Sequence, residues 1–294
     1  MNIQSLSVCV PAKACINDCK FCCSKMHTAD YEDYYNDMKH YPSYRDDICK
    51  RLRYARENGC NTCMLTGNNE PQQNVGFLKL FGEINNSLPN PFLNIEMQTS
   101  GAFIDADFLD FLKYSVGLTT VAISVACLDD DDANKEIIVT KDASLSLKSL
   151  CQEIKKRNMN LRICLNMNDG ILKNSPFEPS SIINICKELK ADQITFRALW
   201  APDDSTEQGK WIKEHVSEKT TNLIASLKAD IKSVGKYLDT LEYGADRYDY
   251  HGFSVVVDED SMSQEINKEA VKYLILRPNG HLYSKWDSEA SLIF

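Results

Sequence analysis

The chain has 294 residues, 43% of them hydrophobic and 26% charged, which suits one large globular core. Acidic residues outnumber basic ones 42 to 33, and the resulting net charge of −9 argues against a nucleic-acid partner held by charge. No apolar run is long enough to span a bilayer and none follows Met1 as a signal peptide would, so the twelve cysteines point to a reducing cytoplasm rather than a disulfide framework.

In chain order, residues 5–10 alternate and are rich in β-formers until Pro11, which predicts a first strand. Three cysteines follow, at 15, 19 and 22. Residues 24–44 are polar and carry Tyr31, Tyr34, Tyr35, Tyr41 and Tyr44; they read as a lid over a substrate or as a surface excursion. Ile48, Leu52 and Ala55 share one face of a helix over 44–58 that Gly59 stops. A strand at 61–66 and a helix from Val75 to before Pro89 come next. Strands at 93–98, 119–125, 160–166 and 192–197 then alternate with helices at 105–114, 144–157 and 179–189. Such βα alternation implies a parallel sheet with right-handed crossovers. Six repeats fall short of the eightfold barrel and predict an α/β partial (β/α)6 barrel. In such sheets the chemistry sits at the C-terminal ends of the strands.

After residue 200 the pattern changes. One long helix is expected over 207–237, then strand-like runs at 237–243, 253–257 and 271–276. Pro278-Asn279-Gly280 marks a hairpin between 273–276 and 281–284. With no Gly-, Ser- or Pro-rich linker in view, the domain reading is a core over 1–200 and a C-terminal α+β extension over 201–294 packed on it.

The stretch Cys15-Ile16-Asn17-Asp18-Cys19-Lys20-Phe21-Cys22 spaces three thiols so that one loop can turn them onto a single object. Three thiolates hold an iron–sulfur cluster with one iron open to another ligand. They also suit zinc, given a fourth ligand such as Cys23 or His27. The spacing, with an aromatic before the last cysteine, resembles the radical S-adenosylmethionine (AdoMet) superfamily. So does the strand ending Cys63-Met64-Leu65-Thr66-Gly67-Asn68-Asn69-Glu70-Pro71. The resemblance implies that Cys15, Cys19 and Cys22 hold a four-iron four-sulfur (4Fe-4S) cluster whose open iron chelates AdoMet. It implies a six-unit core over about residues 1–200. It also implies an external one-electron donor such as flavodoxin or ferredoxin, and reductive cleavage of AdoMet to a 5′-deoxyadenosyl radical that takes hydrogen from the substrate.

Further site residues follow from that resemblance. Phe21 corresponds to an aromatic packed near the adenine. Gly67, Asn68, Asn69 and Glu70 correspond to a Gly-Gly-Glu turn that receives the amino group, although the two asparagines replace small residues. Glu96, Gln98, Thr99 and Ser124 match strand-end positions for ribose and carboxylate, and Asn166 one near the adenine; each also reads as an ordinary satisfied polar group. Arg197 suits a carboxylate or phosphate, or a structural ion pair. No catalytic acid or base stands out. The run 129–132 reads as a solvated acidic loop rather than a cation site. Cys60 and Cys63 form a Cys-x-x-Cys pair, but no cysteine follows Cys186, so one cluster is expected and the remaining cysteines read as core. The substrate reads as a small polar molecule such as a nucleotide or amino-acid-like metabolite. The alternatives are a peptide or protein substrate and, in a different class, a non-enzymatic zinc or electron-transfer protein.

Overall fold

Runs in which every second side chain is apolar build one central sheet. The computed structural model describes residues 2–27, 41–140, 144–201, 203–240, 246–258, 270–286 and 288–294. The tyrosine-rich segment read as a lid or excursion lies outside the described residues over 28–40. The strands are β1 Asn2–Cys9, β2 Thr62–Thr66, β3 Asn94–Thr99, β4 Thr120–Val125, β5 Asn160–Met167, β6 Gln193–Ala198, β7 Lys236–Thr240, β8 Asp246–Tyr250, β9 Phe253–Asp258, β10 Ala270–Leu276 and β11 Leu282–Tyr283. Around them lie helices α1 Ser24–His27, α2 Arg45–Glu57, α3 Val75–Ser87, α4 Ala106–Phe111, α5 Asp131–Ile138, α6 Leu147–Lys156, α7 Pro179–Glu188, α8 Glu207–His215 and α9 Glu218–Val234.

The strand order is β11-β10-β1-β2-β3-β4-β5-β6-β9-β8-β7. From β10 through β9 every pairing is parallel, and antiparallel partners add β11 at one edge and β8 and β7 at the other. The two outer strands do not pair among the described residues, so the barrel stays open, as the six βα repeats require. Strands from the C-terminal third occupy both edges: β10 lies against β1, and β9 against β6.

The strands explain the hollow that carries the site. On β2, Cys63 and Leu65 are fully buried while Thr62, Met64 and Thr66 are partly open. On β6, Ile194 and Phe196 are buried while Gln193, Thr195 and Arg197 are partly open. Strands buried on both faces read as continuous apolar runs, and a packed barrel fills its interior with branched apolar chains. Here the apolar face meets the helices and the polar face lines an interior with room for a ligand. Helix α2 buries Ile48, Leu52 and Ala55 and ends at Gly59, whose φ of 85° and close approach to the Asn2 side chain, 2.2 Å from a hypothetical Cβ, exclude other residues.

Two expectations change. The single helix over 207–237 is broken at Val216 and Ser217, and β7 starts at Lys236. The break has a local cause: Asp169 accepts from Ser217 Oγ at 2.8 Å and Thr220 Oγ1 at 2.6 Å, pinning a fresh helix start where Ser217 caps α9. The acidic run 129–132 is not a solvated loop. Asp130 caps α5 by accepting from Ala133 N at 2.9 Å, Asp129 accepts from Lys173 N and Asn174 N, and Asp131 accepts from Leu147 N.

Candidate active site

The loops after β1 and β2 are stitched together. Gln73 Oε1 accepts from Ile16 N and Glu70 N, both at 3.1 Å, while Gln73 Nε2 donates to Ala14 O at 2.7 Å. Asn17 Nδ2 donates at 2.8 Å to both Glu70 Oε1 and Ser100 Oγ. Asn74 Nδ2 donates to Pro11 O at 2.7 Å while its Oδ1 caps α3. From the other side, the end of α5 holds the loop: Asp18 N donates to Ile138 O and Val139 O, and Lys20 N to Ile137 O. The cysteine loop is thereby held from both sides by backbone and amide contacts.

A cavity of about 550 Å³ opens beside this loop, a size in the range of small-molecule sites. Of the residues matched to the cluster and AdoMet positions, all but Glu96 face it. Cys15, Cys19 and Cys22 line it with Phe21 between them; Gly67, Asn68, Asn69 and Glu70 line it from the turn after β2; Gln98, Thr99, Ser124, Asn166 and Arg197 line it from the ends of β3 to β6. Gly67 has φ 153°, and a Cβ there would stand 3.1 Å from Val10 O, so the turn after β2 can lie this close to β1 only as glycine.

Individual partners refine the picture. Glu70 is buried, and its carboxylate accepts from four donors: Asn17 Nδ2, Gln72 Nε2 at 3.0 Å, Ser100 N at 3.0 Å and Thr99 Oγ1. It is committed to the protein and braces the cysteine loop against the end of β3. Asn166 is buried and donates to Val125 O at 3.2 Å. Phe21 packs on Trp211 of α8, ring centroids 6.1 Å apart, and Trp211 stacks on His215. Glu96 does not line the cavity; it is buried in an ion pair with Arg162 at 2.6 Å.

Burial pushes the Cys15 thiol up to about 11, and burial together with Cys22 and Glu70 raises Cys19 as well. Binding a metal group would require these thiols to give up their protons. Among the described residues no three His, Cys, Asp or Glu side chains converge closely enough for a single metal ion. Three thiols lining one cavity suit three corners of a cluster whose fourth iron stays open. The all-sulfur donor set, the cavity and the glycine approach therefore fit a cluster with a ligand beside it. Of the remaining cysteines, Cys9, Cys60, Cys63, Cys127, Cys151 and Cys186 are buried as core residues and Cys49 is half-buried, but Cys164 and the exposed Cys23 line the cavity.

Several contributors escaped the sequence reading. The Glu70-x-x-Gln73 spacing is that of a reciprocal helix cap and was readable as such. Arg162, a charge set between Leu161 and Ile163 on a parallel strand, was a second readable signal. Trp200, Arg247, Tyr273 and Trp286 reach the cavity from beyond the βα repeats, and no local pattern announces them.

Comparison with known proteins bears on this arrangement. The family model of the Radical SAM superfamily matches residues 9–175, more than half of the chain. No curated protein matches. Among solved structures, native anSMEcpe with bound AdoMet superposes with a TM-score of 0.61 at 14% identity, covering 99% of this chain and 77% of that one. Coproporphyrinogen III oxidase (HemN) from Escherichia coli gives 0.51 at 14% identity, covering 89% and 57%. A radical SAM methyltransferase from Sphaerobacter thermophilus gives 0.55 at 16% identity, covering 87% and 66%. At such identities these structures are similar in fold.

Proposed function

Because the chain belongs to the radical SAM superfamily, whose enzymes use a 4Fe-4S cluster and AdoMet, we propose that Cys15, Cys19 and Cys22 hold the cluster and that the cavity beside them takes AdoMet and then the substrate. When bound and reduced, that pair supplies a 5′-deoxyadenosyl radical for hydrogen abstraction. The protein's part is positioning and shielding. Gln73, Asn17 and the end of α5 fix the cysteine loop. Gly67 and the two asparagines after it offer backbone and amide groups at the cavity wall, while Gln98, Ser124 and Asn166 offer hydroxyl and amide partners suited to ribose and adenine. Phe21, packed on Trp211, keeps water from the loop.

The observation that carries this reading is the convergence of all three cysteines and the Gly67–Glu70 turn on one cavity at the C-terminal ends of parallel strands. A one-electron donor, flavodoxin or ferredoxin in type, completes the system. The substrate is a small polar molecule, in keeping with the amides, hydroxyls and cations set among the apolar residues of the cavity wall. A peptide substrate is the competing outcome. Anaerobic reconstitution with iron, sulfide, AdoMet and dithionite should yield 5′-deoxyadenosine, and alanine at any one of the three cysteines should abolish it. Bound zinc without AdoMet turnover, or an active Cys19→Ala, would overturn the reading.

A further inference from the structure

Three arginines stand on one wall of the cavity: Arg162 on β5, Arg197 on β6 and Arg247 on β8. The order β5-β6-β9-β8 makes that wall continuous, and β3 and β4 separate it from β1 and β2, which end in the cysteine loop and the Gly67–Glu70 turn. Among the described residues, Glu70 is the one carboxylate lining the cavity, and its oxygens are taken by four internal donors. Arg162 and Arg247 also meet carboxylates that are not part of the cavity lining: Arg162 Nη1 lies 2.6 Å from Glu96 Oε2, and Arg247 Nη2 2.6 Å from Asp239 Oδ2. A chain of net charge −9 has thus gathered cations on an interior wall that in a packed barrel would be apolar.

Like charges gathered along one wall repel one another, and an anionic ligand held between them would relieve that repulsion. A planar guanidinium matches the two oxygens of a carboxylate or a phosphoryl group. Arg162 precedes Asn166 by four residues on β5, about 13 Å at roughly 3.3 Å per residue, so the wall reaches well below the rim where the cysteines stand.

We propose that the substrate carries an oxyanion, a carboxylate or a phosphoryl group, that docks on this arginine wall while its reacting carbon stays toward the cysteine rim. The assignment rests on the radical reading above and names the substrate class of the same site.

The test uses full-length, cluster-reconstituted protein saturated with AdoMet, titrated calorimetrically with inorganic phosphate, succinate and neutral glycerol at fixed ionic strength. At least one oxyanion should bind saturably and glycerol should not. Arg247→Gln should weaken that binding about tenfold or more, as loss of a charged hydrogen bond would. Arg162→Gln alone would strand buried Glu96, so it is paired with Glu96→Gln, and the double variant should show the same loss at an unchanged unfolding midpoint. Phosphate binding alone identifies a phosphoryl substrate, succinate alone a carboxylate. The proposal is overturned if neither oxyanion binds the wild type, if both variants bind as well as the wild type, or if an oxyanion binds only when AdoMet is left out of a parallel titration, since the wall would then serve the cofactor's own carboxylate. Deoxyadenosine formation by the wild type without either oxyanion tests the radical reading separately.

Discussion

Four donors point at the two oxygens of Glu70, and two of them, Asn17 and Ser100, belong to the cysteine loop and to the turn after β3. A glutamine there would keep one acceptor and turn an amide toward groups that are themselves donors. Leaving buried donors unmatched costs about 1–3 kcal/mol. Glu70→Gln is therefore expected to lower stability by that order, measured by denaturant unfolding, and to lower iron retained per chain. Its loaded fraction should still bind AdoMet with little change. Weakened AdoMet binding at full iron content would instead make Glu70 a direct ligand contact. Asn17→Ala should behave likewise, and the two changes should be less than additive because they share one bond. The residue-scale chemistry was half legible. Cysteine spacing and the Gly67-to-Pro71 turn show in the sequence because a loop's ligands are near neighbours. The role of Glu70 did not, because its partners Thr99 and Ser100 lie some thirty residues away.

At the scale of elements, α5 links an acidic cap to the cysteine loop. Asp130 starts it, Asn134 Oδ1 accepts from Ala126 N and Cys127 N at the end of β4, and its last carbonyls accept from the cysteine loop. The Ala133 N–H, with Lys173 and Asn174, holds the Asp130 carboxyl down to about 2, against an ordinary value of 3.8. A depressed carboxyl stabilises the fold above its unfolded value. That contribution is complete above about pH 4 and is lost as pH falls toward 2. Asp130→Asn should keep the cap and remove this acid dependence, whereas Asp130→Ala should lose both. Hydrogen exchange at the Asp18 and Lys20 amides is the readout. Protection there, taken against the intrinsic exchange rate at each pH, should fall in Asp130→Ala and in acid, and unchanged protection would show that α5 does not brace the loop. The run from 129 read as a solvated loop because the partners of Asp129 and Asp131, at Lys173, Asn174 and Leu147, are brought close only by folding, while Asp132 stays exposed.

For the whole molecule, the six βα units were legible because each strand and helix announces itself by local periodicity, and consecutive parallel strands become neighbours. The edges were not. The pairing of β1 with β10 joins Leu6 to Leu274 and Val8 to Leu276 across most of the chain, and no local signal encodes it. The consequence concerns the division expected at residue 200. Leu274, Ile275 and Leu276 of β10 are 0%, 0% and 1% exposed. At about 1.5–3 kcal/mol for each buried side chain, these three alone account for roughly 5–9 kcal/mol, comparable with the whole stability of a typical domain. A chain cut after residue 200 would lose that burial and leave β1 and β6 as open parallel edges, the geometry that templates aggregation. It would also lose Arg247, Tyr273 and Trp286 from the cavity. Residues 1–200 expressed alone are therefore expected to aggregate or to unfold without a cooperative transition, by light scattering and circular dichroism. A soluble, cooperatively folding 1–200 fragment that assembles a cluster would instead establish it as an autonomous domain, with the remaining strands an accessory to the site.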